Sequence, residues 1–117
     1  MRILLAEDES TISKLIKIVL GAGGHQVVGV RSISEARDVL GNGQFDLVLL
    51  DRQLEGGDGA AVLQMLESQG NGRPPVVLMS GERSFAHDDD IAQRVQAMLP
   101  KPFELDELER LVERFSA

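Results

Sequence analysis

The chain has 117 residues, with 19 acidic side chains against 12 basic ones and a formal net charge of −7. This length is typical of one domain, and the excess of negative charge disfavours binding to nucleic-acid phosphates or to an anionic membrane surface. The absence of cysteine excludes disulfides and thiolate chemistry and fits a reducing compartment.

Short apolar runs alternate with helix-period segments from the start of the chain. Residues 3–6 predict a short buried strand, and apolar positions spaced over 12–20 predict a first helix that ends in a glycine-rich stretch. Residues 26–30 predict a second strand. Ser32 followed three positions later by Glu35 is a capping-box pattern, so we expect a second helix to begin there.

The strongest predicted strand lies in the middle of the chain, from Phe45 to Leu50. Every residue after Asp46 in this run is apolar, as expected for a central parallel strand covered on both faces. Three glycines within 56–59 predict a loop, and apolar positions within 62–66 predict a third helix.

The last third of the chain has a less regular pattern. Residues 76–79 predict a fourth strand, 97–99 a short fifth strand, and apolar positions within 105–115 a final amphipathic helix. Between the last two strands, one of the aspartates at 88–90 could begin a helix whose buried side lies within 91–95.

Five strand–helix units in succession predict an α/β fold. We expect a five-stranded parallel sheet, doubly wound as a (βα)5 flavodoxin-like three-layer sandwich, over a single domain of residues 1–117 without an output domain. Ligands bind such sheets beyond the carboxyl ends of the strands. The functional residues should therefore follow the strands.

Five polar residues do follow the predicted strands. Glu7 and Asp8 come after the first strand, Asp51 after the third, Ser80 after the fourth and Lys101 after the fifth. Three carboxylates at one edge repel each other, and Mg²⁺, which prefers oxygen ligands, would relieve this repulsion. The pattern therefore predicts a Mg²⁺ site at this edge of the sheet.

The same residues suit phosphoryl transfer onto a carboxylate. An attacking Asp51 needs positive charge and a hydrogen-bond donor at the phosphoryl oxygens. Mg²⁺ and Lys101 can supply the charge and Ser80 the donor, while Gly81 leaves room. Each residue alone could be a helix cap or turn former, but their combination at one edge favours phosphoryl chemistry.

These motifs together resemble the receiver domain of two-component response regulators, from Arg2 to about Phe115. Glu55 replaces the usual proline of the family's D-x-x-[ML]-P-x-x-x-G pattern. The segments that carry the resemblance are the acidic opening at 3–9, the acceptor strand at 45–51, the pattern residues Asp51, Leu54 and Gly59, the hydroxyl-bearing strand at 76–81 and the Lys-Pro-Phe at 101–103.

The resemblance implies a role for each site residue. Asp51 would accept a phosphoryl group from a histidine kinase or a histidine phosphotransfer protein, and the domain would then signal to a downstream partner. The bond between Lys101 and Pro102 would be cis. The implied Mg²⁺ ligands are Glu7, Asp8, Asp51 and the backbone carbonyl of Gln53, and the residues that would contact the phosphoryl group are Ser80 and Lys101.

Several positions bear on how such a signal would be switched and reset. Met98 stands where the family usually has an aromatic ring, and Arg94-Val95 stands where it usually has a Gly-Ala turn. Met98 could repack on phosphorylation or could simply be a core residue. Gln53 and Glu82 would flank the hydrolytic water, which predicts an aspartyl-phosphate lifetime of seconds to minutes.

Other functions fit the sequence less well. A pseudo-receiver that only docks or dimerises would usually lack the acceptor or the lysine. A haloacid-dehalogenase-type phosphatase needs an aspartate where Gln53 stands, and a flavodoxin-like cofactor binder needs a phosphate loop after the first strand. We expect a cytoplasmic, non-enzymatic signalling domain, monomeric or weakly dimeric when phosphorylated, without nucleic-acid or membrane binding. Whether it acts alone or within a longer protein stays open.

Overall fold

A computed structural model describes residues 1–70, 72–81 and 89–116 of the chain. Its central sheet has five parallel strands in the order β2-β1-β3-β4-β5. The strands are β1 (Arg2–Ala6), β2 (Gln26–Val30), β3 (Leu47–Asp51), β4 (Val76–Gly81) and β5 (Ala97–Lys101). The described helices are α1 (Ser10–Ala22), α2 (Ile33–Asn42), α3 (Ala60–Glu67), α4 (Asp89–Arg94) and α5 (Leu105–Ser116).

The helices cover both faces of this sheet, which confirms the doubly wound three-layer fold. Because side chains alternate along a strand, Leu4 packs with α2, α3 and α4 while its neighbours Ile3 and Leu5 pack with α1 and α5. All five residues of β3 are buried, as the continuous apolar run predicts for the central strand. Among the described residues, no helix has the length and apolar character required to cross a bilayer.

Several predicted strand boundaries were wrong by one or two residues. β3 begins at Leu47, and Phe45 before it stacks under the guanidinium of Arg2, whose carbon lies 4.5 Å from the ring centroid. β4 extends to Gly81 and β5 to Lys101, since the parallel ladder between them continues to these residues. The sheet therefore reaches the polar residues themselves.

The predicted glycine loop contains a small antiparallel ribbon, in which Gln53–Leu54 pairs with Gly57–Asp58. The predicted cap of α2 is confirmed, since the Ser32 hydroxyl accepts a hydrogen bond from the Glu35 amide at 3.1 Å. The Glu35 carboxylate accepts the amide of Arg31 instead of that of Ser32.

Two apolar residues that the sequence pattern assigns to the interior lie at the surface. Leu15 of α1 is 45% exposed, although Ile16 beside it is buried. Met98 is 40% exposed, so its interpretation as a core residue was wrong. Met98 belongs to an edge strand, where only one neighbouring strand is present to cover it. The helix at 88–90 begins at Asp89, and Asp88 lies outside the described residues.

Candidate functional site

The register of the sheet brings the predicted site residues to one edge. Asp51, the last residue of β3, pairs with Met79, so Ser80 lies one residue beyond it on the neighbouring strand. On the next strand, Lys101 pairs with Gly81. Glu7 directly follows β1, and its amide donates to the Val30 carbonyl at 3.0 Å.

Lys101 connects the two most deeply buried acids of this edge. Its ammonium donates to Asp51 Oδ2 at 2.7 Å and to Glu7 Oε1 at 2.8 Å. The Glu7 side chain is fully buried and that of Asp51 is 9% exposed, whereas the Lys101 side chain is 24% exposed. The ammonium therefore compensates part of the negative charge of two buried carboxylates.

The ionisation of the three groups is coupled. Burial raises the pKa of Glu7 to about 7, and the nearby Asp51 carboxylate adds to this rise while Lys101 opposes it. Burial alone would also raise the pKa of Asp51, but interactions with Glu7, Lys101 and the Gln53 amide outweigh it and hold that pKa below its usual range. The two carboxylates likewise raise the pKa of Lys101 against the effect of its burial. Asp51 is thus the acid that stays ionised.

The three acids at this edge could hold a divalent cation. Glu7, Asp8 and Asp51 each offer a carboxylate oxygen within 4.8 Å of the others. Among the described residues, Glu7 Oε2 is buried and has no hydrogen-bond partner, which is costly unless another group binds there. One ammonium cannot neutralise three carboxylates, so the residues fit a hard cation with oxygen ligands such as Mg²⁺.

Ser80 is the second buried polar group without a partner. Its side chain lies on a buried strand, is 2% exposed, and its hydroxyl has no hydrogen-bond partner among the described residues. A hydroxyl in this position can donate to an oxygen that enters the site. Within residues 1–70, 72–81 and 89–116, neither Glu7 Oε2 nor the Ser80 hydroxyl contributes a hydrogen bond to the fold, which indicates that both serve a bound group.

The remaining predicted site residues are more dispersed. The Gln53 amide donates to Asp51 Oδ1 at 3.1 Å, whereas its side chain is exposed. Gly81 is exposed and has open space around its Cα. The peptide bond between Lys101 and Pro102 is cis, as the resemblance implies. Met98 lies three residues before the site lysine, and Glu82 lies outside the described residues.

Two further residues shape the acceptor loop, of which the sequence interpretation missed Arg52 and recognised Gly59 only as a motif residue. A side chain at Gly59 would overlap the backbone carbonyl of Asp51, so only glycine fits there, although its φ of −57° suits any residue. Arg52 binds the Asp58 carboxylate at 3.1 Å, and its own carbonyl accepts the Gly59 amide. The glycine was visible as part of a motif, but a packing contact with a backbone atom leaves no sequence signal.

An apolar recess of about 360 Å³ lies beside the acceptor and shares Lys101 with it. Leu15 on α1 is its exposed rim, and Pro102 and Phe103 contribute from the segment after β5. The other residues that line the recess are Ile12 and Leu105.

Comparison with known proteins agrees with this geometry. Residues 3–113 match the family model described as the response regulator receiver domain. The chain belongs to this family. Receiver domains are parts of two-component systems, and relatives of this one include the swarming motility regulation protein RssB of Serratia marcescens, which is 34% identical over 92% of the chain. PilR of Pseudomonas aeruginosa is 32% identical over 93% of it. The receiver domain spans 49% of RssB and 24% of PilR.

Solved receiver domains have the same fold. TrrA from Thermotoga maritima, solved in complex with Mg²⁺ and BeF, is 26% identical with a TM-score of 0.85, and the match covers 97% of both chains. The receiver domain of a sensor histidine kinase from Pseudomonas aeruginosa is 27% identical with a TM-score of 0.83, covering 99% of this chain and 98% of that one. That structure has a magnesium ion coordinated in its active-site cleft.

Proposed function

We propose that this receiver domain accepts a phosphoryl group on Asp51 from a phosphohistidine of a histidine kinase or phosphotransfer protein, with Mg²⁺ as cofactor. The observation that carries this proposal is the ionised, buried Asp51 between the Lys101 ammonium and the acidic cluster. An ion pair made only for stability would not need two further carboxylates and an unpartnered hydroxyl around it.

The chemistry follows from the groups that surround the acceptor. A carboxylate oxygen of Asp51 attacks phosphorus in line, the bond from phosphorus to the histidine nitrogen breaks, and the electron pair stays on the imidazole. Mg²⁺, held by Glu7, Asp8, Asp51 and the Gln53 carbonyl, would compensate the charge of the phosphoryl oxygens. Lys101 can turn from Glu7 towards one of these oxygens, and Ser80 can donate to another.

We expect a protein donor to approach Asp51 across the apolar recess that shares Lys101 with the site. A helical partner that carries a phosphohistidine would cover this recess with apolar side chains. We therefore expect Leu15→Glu to slow phosphotransfer from a protein donor while leaving phosphorylation by acetyl phosphate unchanged, because the small donor needs no such contact. Equal slowing with both donors would contradict this placement of the partner.

Phosphorylation itself is tested with acetyl phosphate and Mg²⁺, by intact-protein mass spectrometry. We expect the wild type to gain one acid-sensitive phosphoryl group, and Asp51→Asn or a chelator to abolish the gain. Asp38→Asn is a matched control, because Asp38 is an exposed acid of α2 remote from the site. A wild type that stays unmodified, or an Asp51→Asn variant modified at the normal rate, would contradict the proposal and favour a domain that only docks.

The lifetime of the aspartyl phosphate is the finer part of the proposal. Gln53 and Glu82 would flank the water that attacks phosphorus, and neither is bulky or apolar enough to exclude it. We expect hydrolysis within seconds to minutes, and a several-fold slower decay when Glu82 is replaced by Leu or Gln53 by Met. Decay rates that both variants leave unchanged would show that these side chains do not control the attacking water, and would contradict the predicted lifetime.

A further inference from the structure

Few of the described side chains in the helix before β5 are buried. α4 spans Asp89–Arg94, and of its described side chains, 91–94, only Ile91 is buried. α3 beside it, by contrast, buries Val62, Leu63 and Leu66. Helical segments that bury little apolar surface are among the easiest to displace from a folded domain.

A bidentate ion pair joins the carboxyl end of α4 to that of α3. Arg94 Nε donates to Glu67 Oε2 at 2.9 Å and Arg94 Nη2 to Glu67 Oε1 at 2.5 Å. The Arg94 side chain is 30% exposed and that of Glu67 is 27% exposed, so solvent screens the pair only partly. Two hydrogen bonds between the same two groups restrict their relative position more than a single bond would.

The ion pair joins the helix that follows the acceptor Asp51 to the described helix that follows Ser80. α3 follows the loop that carries Asp51, and α4 is the described helix after β4, which carries Ser80. Beyond Arg94, Gln96 fixes the chain to the start of β4, because its side chain accepts the Val76 amide at 2.7 Å and its amide donates to the Val76 carbonyl at 3.0 Å.

We propose that the Glu67–Arg94 ion pair is a latch that holds α4 in the unphosphorylated conformation and opens when the domain is phosphorylated. The latch rests on the proposed phosphorylation of Asp51. When Ser80 turns towards a phosphoryl group, the end of β4 and the helix after it are drawn towards Asp51, while the ion pair keeps the far end of α4 on α3. The two hydrogen bonds between Arg94 and Glu67 would be stretched by that movement, so the ion pair opposes it.

Linkage makes the latch measurable. A contact present only in the unphosphorylated conformation lowers the affinity for any ligand that favours the other one. The phosphoryl analogue beryllofluoride, added with saturating Mg²⁺, should therefore bind Glu67→Gln about fivefold more tightly than the wild type. Fivefold is the change that about 1 kcal/mol produces at 25 °C, which is typical of one such pair.

Two further variants separate the charge pairing from other effects. The double variant Glu67→Arg with Arg94→Glu restores a pair with reversed charges and should return the beryllofluoride midpoint towards the wild-type value. Asp106→Asn is the matched control, because it breaks the exposed Asp106–Arg110 pair on α5, on the other face of the sheet, and should leave the midpoint unchanged.

The titration is followed by amide NMR, together with hydrogen exchange of the ligand-free proteins. We expect the α4 amides of Glu67→Gln to exchange faster than those of the wild type before any beryllofluoride is added. A midpoint that Glu67→Gln leaves unchanged or raises would overturn the latch alone, as would a reversed pair that keeps the full effect of the single variant. A wild type that binds no beryllofluoride would overturn the proposed function and with it the latch.

Discussion

The ion pairs around Lys101 and the pair between Glu67 and Arg94 differ in how many polar groups they leave without a hydrogen-bond partner among the described residues. Around Lys101, two buried carboxylates compete for one ammonium, and two buried oxygens have no partner among the described residues. The Glu67 carboxylate, by contrast, accepts a hydrogen bond from Arg94 at each of its two oxygens. The Lys101 system therefore has free groups that can bind a cation and a phosphoryl group. The Glu67–Arg94 pair connects two helices, and both oxygens of its carboxylate are already hydrogen-bonded.

This difference predicts opposite responses to perturbation. Removing a partner from the buried system should change ligand binding and pH dependence strongly, because it leaves a buried charge without its counter-charge. Removing a partner from the half-exposed pair should change stability little.

The largest effect is expected when the buried ammonium is removed. Lys101→Met leaves Glu7 and Asp51 facing each other without a counter-charge and takes away a contact to the phosphoryl oxygens. We expect phosphorylation by acetyl phosphate to slow about 100-fold or more, the size of effect seen when one electrostatic stabiliser of a transition state is lost. The rate of phosphoryl uptake, followed by mass spectrometry, measures this, and a rate within threefold of the wild type would show that Lys101 is only structural.

The next effect concerns the pH dependence of stability without metal. The raised pKa of Glu7, about 7 against an ordinary 4.5, means that the folded protein binds this proton more tightly than the unfolded chain. That contribution is complete below about pH 4.5 and is lost as the pH rises through 7, so the free energy of unfolding should fall by up to about 3 kcal/mol between pH 5 and pH 8. The lowered pKa of Asp51 acts in the opposite direction, but only in more acidic solution.

Urea unfolding in the presence of a chelator measures the slope of the free energy of unfolding against pH. Glu7→Gln should flatten it, because the amide is neutral at every pH in the window. An equal slope in the wild type and in Glu7→Gln would mean that Glu7 does not hold the proton.

A smaller effect is expected at the half-buried member of the acidic cluster. Asp8→Asn removes one charge and one oxygen ligand, so calorimetric titration should show at least a tenfold weaker Mg²⁺ affinity at neutral pH. Because three carboxylates repel one another, the metal-free variant should be as stable as the wild type or more stable. Unchanged Mg²⁺ affinity would remove Asp8 from the ligand set.

The smallest effect is expected when the Glu67–Arg94 pair is broken. Arg94→Gln should lower the free energy of unfolding by about 1 kcal/mol or less in dilute buffer, and the loss should shrink in high salt, because the pair is open to screening ions. Urea unfolding at two salt concentrations tests this. A loss of unfolding free energy larger than that caused by Lys101→Met would contradict the distinction between the Lys101 system as a ligand site and the Glu67–Arg94 pair as a structural contact.

The sequence by itself determined the architecture and the edge of the sheet that carries the site. Hydrophobic periodicity is a local property, so five strand–helix units and the polar residue after each strand were predictable, and parallel pairing places the carboxyl ends of the strands together. The strand order then brings Asp51, Ser80 and Lys101 onto adjacent strands. The family resemblance supplied the roles that spacing cannot assign.

Only the tertiary structure decided the partners and the exposure of particular side chains. Lys101 divides its hydrogen bonds between Glu7 and Asp51, and Gly59 lies against the Asp51 carbonyl. Met98, on an edge strand, is 40% exposed. The Glu67–Arg94 pair joins residues 27 positions apart on two helices. Such contacts depend on how the layers pack, which no local pattern encodes, because the same residue types occur on many solvent-exposed helix faces.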